Sequence, residues 1–192
     1  MNYPGACKTT FNKIIKYGNR GMDLETLINE TNNYYLEKDI AVIYKKPTPI
    51  GIAKVSYENK ERKIVKSYFK EQSTLDYNGL YKGYYVDFDA KVTKNKTNFP
   101  LHNIHHHQLE HIRRIINHGG ITFLIISMNG LYFLLYGLDL ISYIDNNKSS
   151  SIPYEYIKDK GYIIKEGYKP ALDYIKIVDI LIKEKVYEKD GQ

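Results

Sequence analysis

The chain has 192 residues, which is enough for one domain with its own hydrophobic core. Its single cysteine excludes a disulfide framework, and no cleavable signal pattern precedes the first residues, so we expect a cytoplasmic protein. The formal net charge of +6, carried mostly by lysine, favours a polyanionic partner. An AT-rich genome would also enrich lysine, so the positions of the lysines are more informative than their number.

Residues 1–19 carry scattered lysines and little hydrophobic periodicity, which predicts a flexible basic N-terminal arm. Two interpretations of this arm stay open, a disordered tail and a segment that contacts DNA. The remaining residues, 20–192, are expected to form a single domain.

A first amphipathic helix is predicted from Gly21 onward, because its apolar residues follow the i, i+3, i+4, i+7 spacing. Glu25 lies in the first turn, where a carboxylate complements the helix dipole; support of an active site is the alternative role. A strand is predicted at residues 40–44. It ends at the Lys-Lys-Pro-Thr-Pro segment of residues 45–49, whose prolines force an extended chain.

Residues 50–73 mix short apolar runs with basic and aromatic side chains. Such basic side chains contact phosphates, while aromatic rings stack on unpaired bases. The alternative is a hairpin whose rings pack inward and whose lysines are only solvated, and the pattern does not decide between the two. The candidate DNA-contacting residues of this segment are Lys60, Arg62, Lys63, Lys66, Tyr68, Phe69 and Lys70.

Alternation of apolar and charged residues predicts a strand that ends near Val92. Phe88 and Ala90 then face a core, while Asp89 and Lys91 lie side by side on the opposite face. A carboxylate beside a lysine can hold a hard cation and offset the charge of a scissile phosphate. The plainer alternative is a solvated face of charged residues.

The segment before this strand supplies a partner for it. Turn signals at residues 78–79 and 82–83 allow the chain to fold back and bring Asp76 near Asp89. Asp76 followed by the Asp-Ala-Lys of residues 89–91 fits the loose pattern of the PD-(D/E)XK nuclease superfamily. By itself this pattern has low specificity.

A second helix is predicted after Phe99-Pro100, with Leu109 and Ile112 on its core side. Gln108 leans toward the same side, and a buried amide needs a partner, which the carboxylate site could supply through a water or a cation. The histidines at residues 105–107 do not favour zinc, because consecutive helical positions point about 100° apart.

The apolar stretch at residues 121–144 is long enough to cross a bilayer, but Asn129-Gly130 at its middle predicts a hairpin instead. The last predictions are a surface loop at residues 145–151, a short helix from Pro153 to near Gly161, an edge strand at residues 162–164, and helical spacing at residues 174–182 that is too mixed to assign.

The order of these segments resembles the RecU family of bacterial Holliday junction resolvases. The resemblance covers most of the chain, in collinear matches. The matching residues are Asn19-Arg20-Gly21-Met22, Leu24-Glu25, Asn29-Glu30-Thr31-Asn32, Tyr34-Tyr35, Lys45-Lys46-Pro47-Thr48-Pro49, Tyr68-Phe69-Lys70, Ser73-Thr74, Asp76-Tyr77-Asn78-Gly79, Tyr81-Lys82-Gly83, Phe99-Pro100-Leu101, His105, His107-Gln108 and Ile125-Ile126-Ser127.

The resemblance implies an α/β fold with a central mixed β-sheet flanked by helices, which is a restriction-endonuclease-like nuclease core. It also implies a protruding stalk at about residues 54–73 that enters the centre of a four-way junction, which favours DNA contact by Tyr68 and Phe69.

The resemblance further implies a magnesium site at Thr74, Asp76, Asp89 and Gln108, with Mn²⁺ as an alternative ion, and a transition-state-stabilising role for Lys91. The family normally has Glu where this chain has Asp89, which is shorter by one methylene. Because Mg²⁺ demands near-ideal octahedral geometry, we expect the strand to shift or a water to bridge the gap.

The function implied is that of a Mg²⁺-dependent endonuclease that resolves Holliday junctions in recombination and repair by symmetric nicking. Family members are homodimers, and two sites related by a twofold axis suit that reaction. Lys94 and Lys96, in the loop after the strand that carries Asp89 and Lys91, are further candidate phosphate contacts. A recombinase or branch-migration protein is left open as a partner, and no membrane is expected.

Two alternatives remain at this stage. One is a catalytically weak or inactive protein that binds junctions as a recombination scaffold. The other is a sequence-specific nuclease of the same superfamily, which would prefer linear duplex DNA over junctions.

Overall fold

The computed structural model describes residues 22–58, 61–69 and 74–190. Its helices are α1 (Leu24–Glu37), α2 (His106–Asn117), α3 (Gly137–Asn146), α4 (Tyr154–Lys160) and α5 (Ile175–Asp190), with a 3-10 turn at Leu101–Asn103. Its strands are β1 (Val42–Lys45), β2 (Ile50–Glu58), β3 (Glu61–Phe69), β4 (Tyr77–Tyr81), β5 (Tyr84–Val92), β6 (Asn98–Pro100), β7 (Ile121–Met128), β8 (Leu131–Tyr136), β9 (Ser151–Pro153) and β10 (Tyr162–Ile164).

Several predictions fall outside this range. The basic arm at residues 1–19 lies outside the described residues, as do Lys60 and Lys70. The described side chains also exclude those of Arg62, Lys63 and Phe69.

A six-stranded sheet in the order β1-β4-β5-β7-β8-β10 forms the centre of the fold. Strands β5 and β7 are parallel, whereas every other neighbouring pair is antiparallel, so the sheet is mixed. Helices α1 and α5 pack on one face, and α2, α3 and α4 pack on the other. The expected α/β class, with a central mixed sheet flanked by helices, is therefore confirmed.

Strand β5 lies in the interior of this sheet, and its apolar face is anchored by aromatic stacking. The ring of Phe88 stacks on Tyr77 at 4.9 Å and on Phe123 at 4.7 Å, measured between ring centroids. Such pairs add roughly 0.5–1.5 kcal/mol each beyond the area they bury. The face of β5 opposite Asp89 and Lys91 is thus fixed by aromatic packing.

The apolar stretch at residues 121–144 forms the predicted hairpin only in part. Strands β7 and β8 pair through a turn in which Asn129 and Gly130 have φ values of 54° and 73°. The second run leaves the sheet at Gly137, however, and continues as α3. Periodicity could not locate this change, because nearly every residue of the run is apolar.

No helix among residues 22–58, 61–69 and 74–190 combines the length and the apolar character that a membrane crossing requires.

The ends of the chain segments differ from prediction in small ways. Helix α1 begins at Leu24, because the Asp23 carboxylate accepts a hydrogen bond from the N–H of Thr26 and so caps the helix. The loop expected at residues 145–151 ends in β9, which pairs with β6, a strand too short to be recognised by alternation. The short helix α4, the edge strand β10 and a helix from Ile175 are all present.

Strands β2 and β3 form an antiparallel two-stranded sheet of their own. This β2–β3 hairpin begins at Ile50 and includes the described part of the expected stalk. The ring of Tyr68 lies across Gly51, where a β-carbon would be 2.4 Å from the ring. The side chain of Tyr68 is nevertheless exposed at 56%. Tyr68 therefore does not pack inward, as the plainer interpretation of this segment required.

Candidate active site

The β4–β5 pairing brings the two acidic residues onto one face. Tyr77 is paired with Phe88, so one further residue along the ladder places Asp76 opposite Asp89. Residues directly opposite one another in an antiparallel pair have β-carbons about 4.5–5.5 Å apart. The chain reversal predicted from the two turn signals therefore places the carboxylates of Asp76 and Asp89 next to each other.

Asp89 is fully buried, and each of its oxygens has a partner. The backbone N–H of Ala90 donates to Oδ1 at 2.7 Å. The Gln108 amide Nε2 donates to Oδ2 at 2.6 Å, and Lys91 Nζ lies 2.9 Å from the same oxygen. Burying a carboxylate is costly unless it is paired and hydrogen-bonded in this way.

Gln108 is held in place by the start of α2. Its Oε1 accepts hydrogen bonds from the backbone N–H of His105 at 3.1 Å and from Lys91 Nζ at 3.3 Å. With His105 as N-cap, this is the reciprocal arrangement of a capping box. The expectation that Gln108 leans inward is met, and its contact with Asp89 is direct rather than through a water or a cation.

Asp76 is half-buried, and its surroundings disfavour the charged form. Burial is the largest effect that raises the pKa of its carboxyl. The charge of Asp89 and a hydrogen bond with Asp89 raise the pKa further. The positive charges of Lys91 and Lys45 act in the opposite direction. Two carboxylates that resist ionising together are a typical setting for a bound cation.

Thr74 and Glu25 are less directly engaged. The Thr74 hydroxyl donates to the backbone oxygen of Leu75 at 3.4 Å, which is a local contact. Glu25 forms an ion pair with Lys45, and its side chain is 56% exposed. Glu25 and Asp76 nevertheless line one cleft of about 240 Å³.

The donor chemistry of this corner fits a hard divalent cation. In the described part of the chain, no group of three or more His, Cys, Asp and Glu side chains is arranged to hold a metal ion. A cation here would therefore combine the carboxylates of Asp76 and Asp89 with neutral oxygen donors. Mg²⁺ suits such a set, since it is commonly bound by one or two carboxylates and keeps several waters.

A second buried carboxylate was missed by the sequence analysis. Asp87 is fully buried and contacts Lys46, His111 and Tyr85. The signal was present, because Asp87 shares the alternating face with Asp89. The sequence analysis gave it no role, because the covering helix cannot be recognised from the strand alone.

The predicted DNA contacts that can be examined are exposed. Lys66 and Tyr68 lie on the β2–β3 hairpin, and Lys94 and Lys96 lie in the loop after β5. Lys54, which the sequence analysis did not single out, pairs directly with Lys66 across the hairpin. Like charges in opposite positions destabilise a ladder, so an anion between them would relieve their repulsion.

Comparison with known proteins gives consistent relatives. The family model described as "RecU: Recombination protein U" matches residues 19–180. The "Holliday junction resolvase RecU" of Bacillus cytotoxicus is 50% identical over 172 residues, covering 86% of each chain. Proteins of the same name from Streptococcus thermophilus and a Geobacillus species are 42% and 46% identical, and each match covers at least 95% of this chain and 98% of the relative.

Among solved structures, the chain resembles Hjc from Archaeoglobus fulgidus, described as a Holliday junction resolvase. The TM-score is 0.38 at 9% sequence identity, with 68% of this chain and 90% of that chain covered.

Proposed function

We propose that this chain, which belongs to the Recombination protein U family, is an endonuclease that resolves Holliday junctions. The reaction is hydrolysis of a phosphodiester on each of two opposed strands. The observation that carries the proposal is the grouping of Asp76, Asp89, Lys91 and Gln108 within the matched residues.

The reaction uses a divalent cation, which we propose to be Mg²⁺, with Mn²⁺ as a substitute. Asp76 and Asp89 would hold it, with Thr74 and Gln108 as neutral ligands. When bound, the cation polarises the scissile phosphate and lowers the pKa of a water that attacks it. Glu25, which lines a cleft together with Asp76, would support this water or a ligand of the cation.

Lys91 supplies a fixed positive charge beside this site. An ammonium group has three N–H donors, and Asp89 and Gln108 each accept one from Lys91. The third is then left for an oxygen of the phosphate, whose negative charge grows in the transition state. Because Lys91 is already held by two partners, little reorganisation is needed when that charge develops.

Junction DNA would be bound by the β2–β3 hairpin and by the loop after β5. The exposed ring of Tyr68 is suited to stack on an unpaired base at the centre of a junction. The remaining proposed contacts are Lys60, Arg62, Lys63, Lys66, Phe69, Lys70, Lys94 and Lys96, joined by Lys54. Because each of the two cuts needs its own active site, we propose that the enzyme acts as a homodimer. We also propose that it works in the cytoplasm. A recombinase or branch-migration protein is a further candidate partner.

The test is cleavage of a synthetic four-way junction by the full chain, with Mg²⁺ and with a chelator. We expect paired nicks only with Mg²⁺, and in Asp76→Asn a loss of at least about 10²-fold with junction binding retained. Asp159→Asn, at an exposed position, is the matched control. A wild-type chain that binds junctions but cuts none in Mg²⁺ or Mn²⁺ would be a scaffold, and preferential cutting of linear duplex would indicate a different nuclease.

A further inference from the structure

Asp87 is the buried centre of a polar cluster that lies beside Asp89, and the side chains of its partners Lys46 and His111 are only partly exposed. Lys46 Nζ lies 3.1 Å from its Oδ1 and 3.0 Å from its Oδ2. His111 Nε2 is 2.9 Å from Oδ2, and the Tyr85 hydroxyl donates to the same oxygen at 2.8 Å. The Tyr85 oxygen in turn accepts from the Asn78 amide at 3.2 Å. None of these residues has a role in the reaction derived above.

The cluster joins α2 to β5 beside the Gln108–Asp89 contact. On the helix, His111 follows Gln108 by three residues and so lies on the same side. On the strand, Asp87 precedes Asp89 by two residues and faces the same way. Helix and strand thus touch through two consecutive polar pairs, Gln108 with Asp89 and His111 with Asp87. Two such pairs fix the rotation of α2, which one pair would leave free.

The cluster also reaches the strand beside Asp76. While the Lys46 side chain binds Asp87, its backbone N–H donates to the backbone oxygen of Asp76 at 2.7 Å. Asp87 is therefore linked through Lys46 to one acidic residue and through His111 and α2 to the partner of the other. A shift at Asp87 would move both sides of the site.

Stability alone does not explain why a charge is buried here. Taking a carboxylate and a lysine out of water costs several kcal/mol per ion, and well-packed apolar residues in their place are often as stable or more so. Groups that orient the ligands of a reactive centre, by contrast, typically change activity about 10- to 100-fold when they are removed.

We propose that Asp87, with His111 and Lys46, is a positioning cluster that sets the orientation of Gln108 against Asp89 and Lys91. This inference rests on the proposed nuclease function and adds three residues that act through others. They touch neither the phosphate nor the cation. Their effect passes through α2 and through the backbone of Lys46 to the groups that do.

The closing experiment compares His111→Leu, which removes the contact with Asp87, with His111→Gln, which keeps a side-chain amide able to donate to it. In single-turnover cleavage of a four-way junction, we expect His111→Leu to be about 10- to 100-fold slower with unchanged junction affinity, and His111→Gln to recover most of the rate. His118→Leu, at the exposed end of the same helix, is the matched control and should cut normally.

A measurement on the metal-free protein separates a positioning role from a general loss of structure. The side-chain amide signal of Gln108 in a ¹⁵N spectrum can be identified by its loss in Gln108→Ala. We expect it to shift in His111→Leu and to stay near its wild-type position in His111→Gln and His118→Leu. Lys46→Met, which keeps the backbone N–H to Asp76, provides a second route to the same shift if His111→Leu unfolds.

The possible outcomes are distinct. If wild-type protein does not cut, the proposed function fails. If wild-type protein cuts and a folded His111→Leu cuts equally fast, or its Gln108 signal does not move, the positioning role is wrong. A further check is additivity: in a Gln108→Ala background, His111→Leu should add little, because the two changes act through one contact.

Discussion

Strand β5 and the β2–β3 hairpin depart from the usual distribution of side chains in opposite directions. Charged residues are rarely buried, yet Asp87 and Asp89 of β5 are both completely buried. Large apolar residues are usually inside, yet Ile52, Ile64 and Tyr68 of the hairpin are each more than half exposed. Both regions are antiparallel or mixed β-structure, so the contrast arises from what covers each one.

This contrast matches the two tasks that a junction-cutting nuclease has to perform. A phosphate is cleaved by groups held within a fraction of an ångström, and such groups need a covering helix and paired hydrogen bonds. A branched DNA is recognised by rings and cations that stay free to reach it. Burial on β5 and exposure on the hairpin are thus complementary, and each can be altered separately.

The largest effect is expected from Lys91→Met, on strand β5. Removing the ammonium should slow junction cleavage by about 10²–10³-fold, because the charge developing on the phosphate loses its nearest fixed donor. Junction affinity, measured without Mg²⁺, should change little. Lys82→Met, at a lysine that pairs with Asp179 on the surface, serves as the control. An equal loss of affinity and rate would instead make Lys91 a binding residue.

An intermediate effect is expected on the exposed side, from replacing Tyr68 and Phe69 together by alanine. Stacking contributes about 1–3 kcal/mol per base, so junction affinity should fall by roughly tenfold or more. Affinity for linear duplex should fall less, and the cleavage rate at saturating junction should persist. Tyr168→Ala removes another highly exposed tyrosine as a control. Equal losses on junction and duplex would contradict insertion at the junction centre.

The smallest effect is expected from Asp76→Asn on the stability of the metal-free protein. The folded-state pKa of Asp76 is raised, so the folded chain favours its protonated form and is destabilised when the group ionises. At neutral pH the substitution should therefore raise Tm, by at most about 2–4 °C, because solvent screening limits the effect at a half-buried group.

The sign of this prediction can be checked by pH. As the pH falls through the folded-state pKa of Asp76, wild-type protein takes up the proton and the advantage of Asp76→Asn should shrink. Thermal unfolding in a chelator at several pH values measures the difference. A Tm advantage that grows toward low pH would show that the two carboxylates do not oppose one another.

Much of the candidate site could be anticipated from local patterns. Alternation placed Asp89 and Lys91 on one face, and two turn signals brought Asp76 back toward them. Helical spacing turned Gln108 inward. These features depend on neighbours in the chain, which is why they can be recognised in a sequence.

Other features escaped because they depend on distant segments. Asp87 shares the pattern of an exposed strand residue, and only the packing of α2 and the reach of Lys46 bury it. Strands β6 and β9 exist only because they pair across more than fifty residues. Helix α3 begins within an apolar run at Gly137, which lies so close to Thr122 that a β-carbon would be 2.6 Å from a methyl group.

The amino-acid sequence by itself determined the class of fold, the strand that carries the acidic and basic groups, and the family to which the chain belongs. The tertiary structure decided which charges are buried, that Gln108 contacts Asp89 directly, and that Asp87 links Lys46 to His111 of α2. The physical reason is that the periodicity of a chain sets only the face on which a side chain lies. Whether that face meets water or another element depends on segments far away in the sequence.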